Sequence, residues 1–171
     1  MKPISTREKH ERPGMPKEQL ELERFLPYRL SILANTVSSG LARVYARRFQ
    51  LTIPEWRVMA VLGCFGPQSA NEICGRTAMD KVRVSRAVAK LMRAGRLKRT
   101  EDAKDRRRAT LALTAKGIAV HDRIVPLART AEARLIAALS TEERALFDRL
   151  VATLQAQART LMAPGSSDRH D

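Results

Sequence analysis

Aromatic residues and cysteines are scarce in this chain. Aromatics make up 4% of its 171 residues, and only two cysteines occur, Cys64 and Cys74. Two cysteines are too few for a disulfide framework and suit a reducing cytoplasm, so we expect both to be inert small hydrophobic residues rather than redox sensors. The histidines His10, His121 and His170 lie far apart in the sequence. Their spacing predicts neither a metal site nor a cofactor.

Long apolar segments are also lacking. No run of about 18 apolar residues occurs that would span a membrane, and residues 1–18 hold no apolar core of a secretory signal. The chain likewise lacks a phosphate-binding glycine loop and a nucleophile–base pair. We therefore expect a cytoplasmic protein with no membrane contact and no enzymatic activity.

Positive charge, by contrast, is abundant and unevenly distributed. The formal net charge is +14 and the pI is about 11.0. Twelve basic and three acidic residues lie between Lys81 and Arg108, so +9 of that charge falls in one short stretch. Charge that only kept the protein soluble would be spread more evenly. The stretch therefore predicts a polyanionic partner such as double-stranded DNA.

Helices dominate the predicted structure. Apolar residues from Leu22 to Val44 recur at steps of three or four, which indicates one long helix with Pro27 in its first turn. Capping boxes at Thr52 and Ser69 open the next two helices. Asp80 caps a further helix over 81–94, with a glycine after it as the C-terminal stop.

The periodicity changes after this helix. Residues 96–101 and 107–114 have strand character, and 102–105 between them are typical of a hairpin turn. Thr114 then caps a long helix with an expected bend at Pro126, and Ser140 opens a last helix. The fold class is mainly α with a small two-stranded β wing, which is the order of a winged helix-turn-helix.

The helix beginning at Lys81 is the predicted reading element. Val84, Val88 and Leu91 share one face and are expected to pack inward, while the cationic residues lie largely elsewhere. Arginine donates two parallel hydrogen bonds to guanine, so side chains near the helix N-terminus are expected to read bases. The predicted base readers are Lys81, Arg83, Ser85 and Arg86, with Val82 beside them, Lys90 on phosphate, and Ser69 from the preceding helix.

The hairpin tip is the second predicted contact. A cationic hairpin beside a reading helix reaches the adjacent backbone or minor groove. Asp105 is expected to orient an arginine through a charge-assisted hydrogen bond. The tip residues are Lys104, Asp105, Arg106, Arg107 and Arg108. The alternative for both elements is a solvated surface whose cations bind nothing.

The sequence resembles the MarR family of transcriptional regulators. The matching stretches are PYRLSILAN, LTIPEWRVMAVLG, MDKVRVSRAVAKLMRAGRLKR and DAKDRRRATLALTAKG, and the resemblance spans about residues 25–161. The last stretch contains the family's Asp-x-Arg wing signature, followed by a Leu-Thr-x-x-Gly motif. This resemblance implies that Arg107 enters the minor groove and that Asp105 orients it.

The resemblance also implies a homodimer. The predicted division is a disordered tail (1–17), N-terminal dimerisation helices (18–50), a winged helix-turn-helix domain (51–114), C-terminal dimerisation helices (115–162) and a flexible tail (163–171). The sequence agrees, because the last two helices carry apolar stripes that a domain of this size does not cover alone. A two-fold dimer predicts a pseudo-palindromic site with half-sites about 10–10.5 bp apart.

Members of this family commonly release DNA when a small aromatic compound binds between the dimerisation helices and the reading domain. The lining that the resemblance implies here is Tyr28, Arg29, Ile32, Asn35, Trp56 and Met59, with Arg29 or Arg57 holding a carboxylate. The alternative is that Trp56 and Met59 are ordinary core residues. We expect a ligand-responsive repressor, and the competing hypothesis is an architectural protein that binds DNA without sequence choice.

Overall fold

The structure is a computed structural model that describes residues 20–101 and 109–161. These residues divide into two units, one ending at Gly40 and one beginning at Leu41. The described elements, in chain order, are α1 Leu26–Phe49, α2 Ile53–Phe65, α3 Ala70–Thr77, α4 Lys81–Arg93, β1 Leu97–Glu101, β2 Ala109–Leu113, α5 Ala115–Ile136 and α6 Thr141–Leu161. The predicted order and the fold class are confirmed.

Helix α1 belongs to both units. It begins beside Pro27, as predicted, and a single turn precedes it, in which the Phe25 N–H donates to the Glu21 carbonyl. Its residues before Gly40 include no buried side chain, although they are rich in leucine. Its C-terminal part buries Tyr45 and Phe49 in the core of the second unit.

Capping chemistry places the starts of the next helices. The Glu55 carboxylate accepts the Thr52 N–H at the start of α2, and Ser69 and Glu72 bond reciprocally at the start of α3. Asp80 accepts the Arg83 N–H at the start of α4. Helix α4 ends one residue earlier than predicted, and Gly95 follows with a φ of +69°, a conformation that glycine adopts without strain.

The two strands form an antiparallel hairpin in which Leu97 pairs with Leu113 and Glu101 with Ala109. Gln68 adds a bridge on the other side of β2, exchanging both backbone hydrogen bonds with Leu111. Each described strand is shorter than predicted. Residue 96 precedes β1, and the predicted turn and wing tip lie outside the described residues.

The core of the second unit lies among α2, α3, α4, the hairpin and the adjoining parts of α1 and α5. Its completely buried side chains include Met59, Ile73, Leu91 and Ile124. Val84 and Leu91 of α4 point inward, and Val88 packs at the edge of the core, as the helical pattern predicted. This core supports α4 from behind and leaves its cationic face in solvent.

The last two helices differ from this arrangement. The Thr114 hydroxyl accepts the Gly117 N–H and caps α5, which continues through Pro126. The Ser140 capping box opens α6 as predicted. No residue of α6 is buried, so its leucines have no apolar partner within the described chain that covers them.

The two cysteines differ in burial. Cys74 is half-buried against the core, but Cys64 is exposed, because the last turn of α2 places it on the solvent side of the helix. Neither is in a disulfide. Among the helices of the described residues, none is both long and apolar enough to cross a membrane.

Candidate DNA interface

The reading helix α4 is strongly two-sided. Its buried residues are Val84, Ala87 and Leu91. The predicted contact residues on the other faces are all exposed, and they are Lys81, Val82, Arg83, Ser85, Arg86 and Lys90. Even the apolar Val82 is 57% exposed, so its methyl groups are available to a thymine methyl. The helix therefore presents cations and one aliphatic side chain from a rigid support.

The N-terminus of α4 is held by Asp80. One carboxylate oxygen accepts the Arg83 N–H at 2.7 Å, and the other lies 3.4 Å from Arg83 Nε. Both side chains are more than half exposed. Because an exposed ion pair of this kind contributes little stability, the guanidinium exchanges the carboxylate for another acceptor at small cost. Asp80 therefore orients Arg83, and the Arg83 guanidinium remains available to bond a base.

Ser69 has a structural role in addition to its predicted contact. Its hydroxyl accepts the Glu72 N–H at 3.3 Å, and its own N–H donates to Glu72 Oε2 at 2.7 Å. The hydrogen bonds from the Ser69 backbone and hydroxyl lower the pKa of Glu72 below its ordinary value. The start of α3 is therefore fixed by its own capping box.

A shallow cavity of about 500 Å³ brings several predicted contacts together. It lies between α3, α4 and the hairpin, and Ser69, Lys81 and Ser85 line it. Arg99 of β1 also lines this cavity, on the strand face that carries Leu97. Arg99 was not among the predicted contacts, although the alternation of β1 places it on the α4 side of the hairpin.

The wing-tip residues Lys104, Asp105, Arg106, Arg107 and Arg108 lie outside the described residues. The strands that lead to them are described, and Gln68 pairs with Leu111 of β2. The tip contacts stay predictions.

Lys90 is engaged with another residue of the chain. Its ammonium lies 3.4 Å from Glu55 Oε1, and the Glu55 side chain is only 7% exposed. Glu55 is the single buried charged residue among the described residues, and no feature of the sequence distinguished it beyond its capping role. The predicted phosphate contact of Lys90 therefore competes with an existing ion pair.

The predicted ligand residues fall into two groups. Tyr28, Arg29 and Ile32 line an apolar groove of about 560 Å³ on α1, and Asn35 is exposed on the same helix. Trp56 and Met59 are buried in the core of the second unit, where the Trp56 ring stacks on His121 at a centroid distance of 5.9 Å. In the described residues, no cluster of three or more His, Cys, Asp or Glu side chains is placed to hold a metal ion.

Two long-range contacts were not foreseen from the sequence. The Arg96 guanidinium donates from Nη2 to the Phe49 carbonyl at 2.6 Å. The His121 ring packs directly on Gly63, where any side chain would collide with it. No local signal marks either contact, because the partners are more than 40 residues apart.

A short helix, a turn, an exposed cationic helix and a β hairpin together define a winged helix-turn-helix DNA-binding protein. The sequence profile of the MarR family matches residues 49–108. A curated HTH-type transcriptional regulator from Bacillus subtilis, YkoM, is 34% identical in an alignment of 130 residues that covers 68% of this chain and 82% of that protein. The chain belongs to the MarR family of transcriptional regulators.

Solved structures agree with the fold. A MarR/EmrR family regulator from Acinetobacter sp. ADP1 superposes with a TM-score of 0.76 at 23% identity, over 82% of this chain and 99% of that one. BpsR from Bordetella bronchiseptica, whose DNA binding is regulated by 6-hydroxynicotinic acid, superposes with a TM-score of 0.71 at 20% identity. That match covers 81% of this chain and 98% of BpsR.

Proposed function

We propose that the protein is a homodimeric, sequence-specific repressor that releases a pseudo-palindromic operator when a small aromatic carboxylate or thioester binds. The observation that carries the proposal is the exposed N-terminal half of α4, where Lys81, Arg83 and Arg86 project from a helix fixed at both ends. A transcriptional regulator needs an exposed cationic surface to bind DNA. This chain concentrates its positive charge in residues 81–108, which include α4.

Specific reading is favoured over sequence-independent binding by the shape of this surface. Phosphate binding alone needs only charge, whereas base recognition needs side chains held at a fixed angle. Asp80 orients the start of α4, and the buried residues Val84 and Leu91 fix its rotation about its own axis. We expect Arg83 and Arg86 to bond base edges in the major groove, and Arg107 to enter the minor groove.

The homodimer is favoured by apolar surface that the protomer leaves uncovered. Leucines in the turn before α1, on the N-terminal part of α1 and on α6 are about half exposed, and they are Leu22, Leu26, Leu30, Leu33, Leu146, Leu150 and Leu154. A soluble protein rarely leaves that much aliphatic surface in water. A second copy related by a two-fold axis would cover it and would place two reading helices on one duplex.

The ligand proposal rests on the groove along α1. Tyr28 and Ile32 supply apolar walls, and Arg29 supplies a guanidinium that matches a carboxylate bidentately. The solved relative BpsR is regulated by an aromatic carboxylic acid. Trp56 and Met59 already serve the core, so we assign the ligand contacts to Tyr28, Arg29, Ile32 and Asn35.

Selection from a randomised duplex library tests the DNA part of the proposal. The wild-type protein should enrich an inverted repeat whose half-sites are about 10–10.5 bp apart. Enrichment of no sequence, with equal binding to all duplexes, would show an architectural protein instead.

A thermal-shift screen of aromatic carboxylates and thioesters, followed by mobility-shift assays on the selected duplex, tests the ligand part. An effector should raise the melting temperature and weaken DNA binding at fixed salt. Arg29→Met should abolish the response to a carboxylate. Arg24→Met, which removes a neighbouring cation paired with Glu21, should leave it intact. Equal loss in both variants would contradict the assigned groove.

A further inference from the structure

Residues 49–55 comprise the end of α1, the connection to α2 and the first residues of α2, and two cations from other parts of the chain contact them. Lys90 Nζ lies 3.4 Å from Glu55 Oε1 on one side. Arg96 Nη2 donates to the Phe49 carbonyl on the other. We call residues 49–55 the α1–α2 corner. Both cations come from the end of α4 or from the residues immediately after it.

Glu55 is held in place before it meets Lys90. Its Oε2 accepts the Thr52 N–H at 3.0 Å, which fixes the carboxylate in the first turn of α2. The side chain is 7% exposed, so little water reaches it. A buried carboxylate without a cation is costly, whereas Lys90 at 57% exposure brings its ammonium from the solvent side. The ion pair therefore holds the Lys90 side chain, and with it the C-terminal half of α4, at the start of α2.

The backbone of Arg96 is also held in place by contacts of its carbonyl oxygen. Its carbonyl accepts the Thr114 N–H, and Gly117 packs so closely on that oxygen that a Cβ there would collide with it. Its guanidinium reaches the last carbonyl of α1, where helix carbonyls lack partners and carry partial negative charge. The chain then turns at Gln50, whose φ is +52°. Arg96 thus joins the end of α1 to the exit of α4.

We propose that Lys90 and Arg96 are positioning residues, which fix the position of the reading helix relative to the α1–α2 corner. Lys90 then does not contact phosphate. This inference rests on the proposed function, because it assigns the residues that aim α4 at DNA. For Lys90 to reach phosphate, its ammonium would have to leave the Glu55 carboxylate, whose side chain is only 7% exposed.

The variant Glu55→Gln distinguishes a positioning role of Lys90 from a phosphate contact, because the two roles predict opposite changes in DNA affinity. Glutamine keeps the capping hydrogen bond and removes the charge. If Lys90 positions α4, E55Q and K90M each weaken binding to the selected duplex by about five-fold, with an unchanged salt slope. The double variant then binds no more weakly than either single one, and K90R, which retains the ion pair, binds as the wild type does.

A phosphate contact predicts the reverse. Freeing Lys90 by E55Q would then tighten binding and steepen the salt dependence, and K90M would reduce the slope by about 0.9. Arg93→Met is the matched control, since it removes an exposed cation from the same turn of α4. Its effect should add to that of E55Q, whereas the effect of K90M should not. Additivity of E55Q with K90M overturns the proposal.

A measurement without DNA keeps this inference separate from the proposed function. Amide hydrogen exchange of the free protein should rise at both the α1–α2 corner and the last turn of α4 in E55Q, K90M and R96K. R93M should leave both segments unchanged. Wild-type exchange in all three variants would contradict the positioning roles even if the protein proves to be a sequence-specific repressor. Raised exchange together with unselective DNA binding would reject only the proposed function.

Discussion

Helices α4 and α6 are both amphipathic, yet their apolar faces meet different surroundings. Val84 and Leu91 of α4 are 1% exposed and lie in the core of one protomer. Leu146, Leu150 and Leu154 of α6 are 44–51% exposed, and α6 has no buried residue. The same helical pattern therefore describes an internal core in one case and a surface in the other. Helix α4 is placed by its own chain, whereas α6 would be covered by a second copy in the homodimer proposed above.

Leu150→Asp should produce the largest effect, because it sets a carboxylate in the centre of the proposed dimer surface. We expect a folded monomer whose affinity for the selected duplex falls at least about 100-fold, or about 2.7 kcal/mol. Sedimentation and mobility-shift assays measure the two losses. Gln155→Asp adds the same charge to an already polar position on α6 and should leave both properties unchanged. A dimeric L150D protein would contradict the comparison.

Leu91→Ala and Leu154→Ala test the two kinds of leucine directly. L91A leaves a cavity in the protomer core and should lower the free energy of unfolding by about 2–5 kcal/mol. The melting temperature of L91A should depend on protein concentration as strongly as that of the wild type, and no more. L154A should instead make the melting temperature more sensitive to concentration, because its contacts are expected across the dimer. Identical behaviour of the two variants in thermal melts would remove the distinction.

Gly117→Ala probes the close approach that fixes Arg96. The added methyl group would collide with the Arg96 carbonyl oxygen, so we expect a loss of about 1–3 kcal/mol in the free energy of unfolding. Gly75→Ala is the matched substitution in α3, where nothing lies within 4 Å of the new Cβ. It should stabilise the protein by up to about 1 kcal/mol through helix propensity. Denaturant titration compares the two, and equal effects would argue against a tight contact at residue 117.

Tyr45 gives the smallest effect, which is confined to alkaline pH. Burial raises its pKa to about 12 from the ordinary value near 10. The folded state thus favours the neutral phenol, and this contribution is complete below pH 10 and disappears as the pH rises towards 12. The chain has two tyrosines, so Tyr28→Phe leaves Tyr45 as the only one to follow by ultraviolet titration. A Tyr45 transition near pH 10 in folded protein would contradict its burial.

Local chemistry made most of the fold predictable. The capping boxes at Thr52, Ser69 and Ser140 mark the helix starts, because their hydrogen bonds join residues only three apart. The Ser69 and Ser140 hydroxyls accept backbone N–H groups, and the Thr52 N–H donates to the Glu55 carboxylate. The inward face of α4 follows from helical spacing alone. The exposure of Cys64 did not follow, because the pattern of α2 does not tell which of its faces the neighbouring helices cover.

The residues of the candidate site were predictable from the sequence only where their position does not depend on a partner elsewhere in the chain. The exposed cations of α4 were identified by charge and spacing. Glu55 and Arg96 were not identified as partners of Lys90 and Phe49, since those contacts join segments 35 or more residues apart. Sequence periodicity assigns a side chain to a face of its own helix, but the partner across that face depends on the packing of the whole unit.

Base preference in the selected duplex after Arg86→Ala tests the central claim most directly, namely that α4 reads sequence as part of a symmetric dimer. We expect discrimination to fall by about 1–3 kcal/mol at one base pair in each half-site, equally in both halves, with the other positions unchanged. A uniform loss of affinity for every duplex, with no position relaxed, would contradict the account.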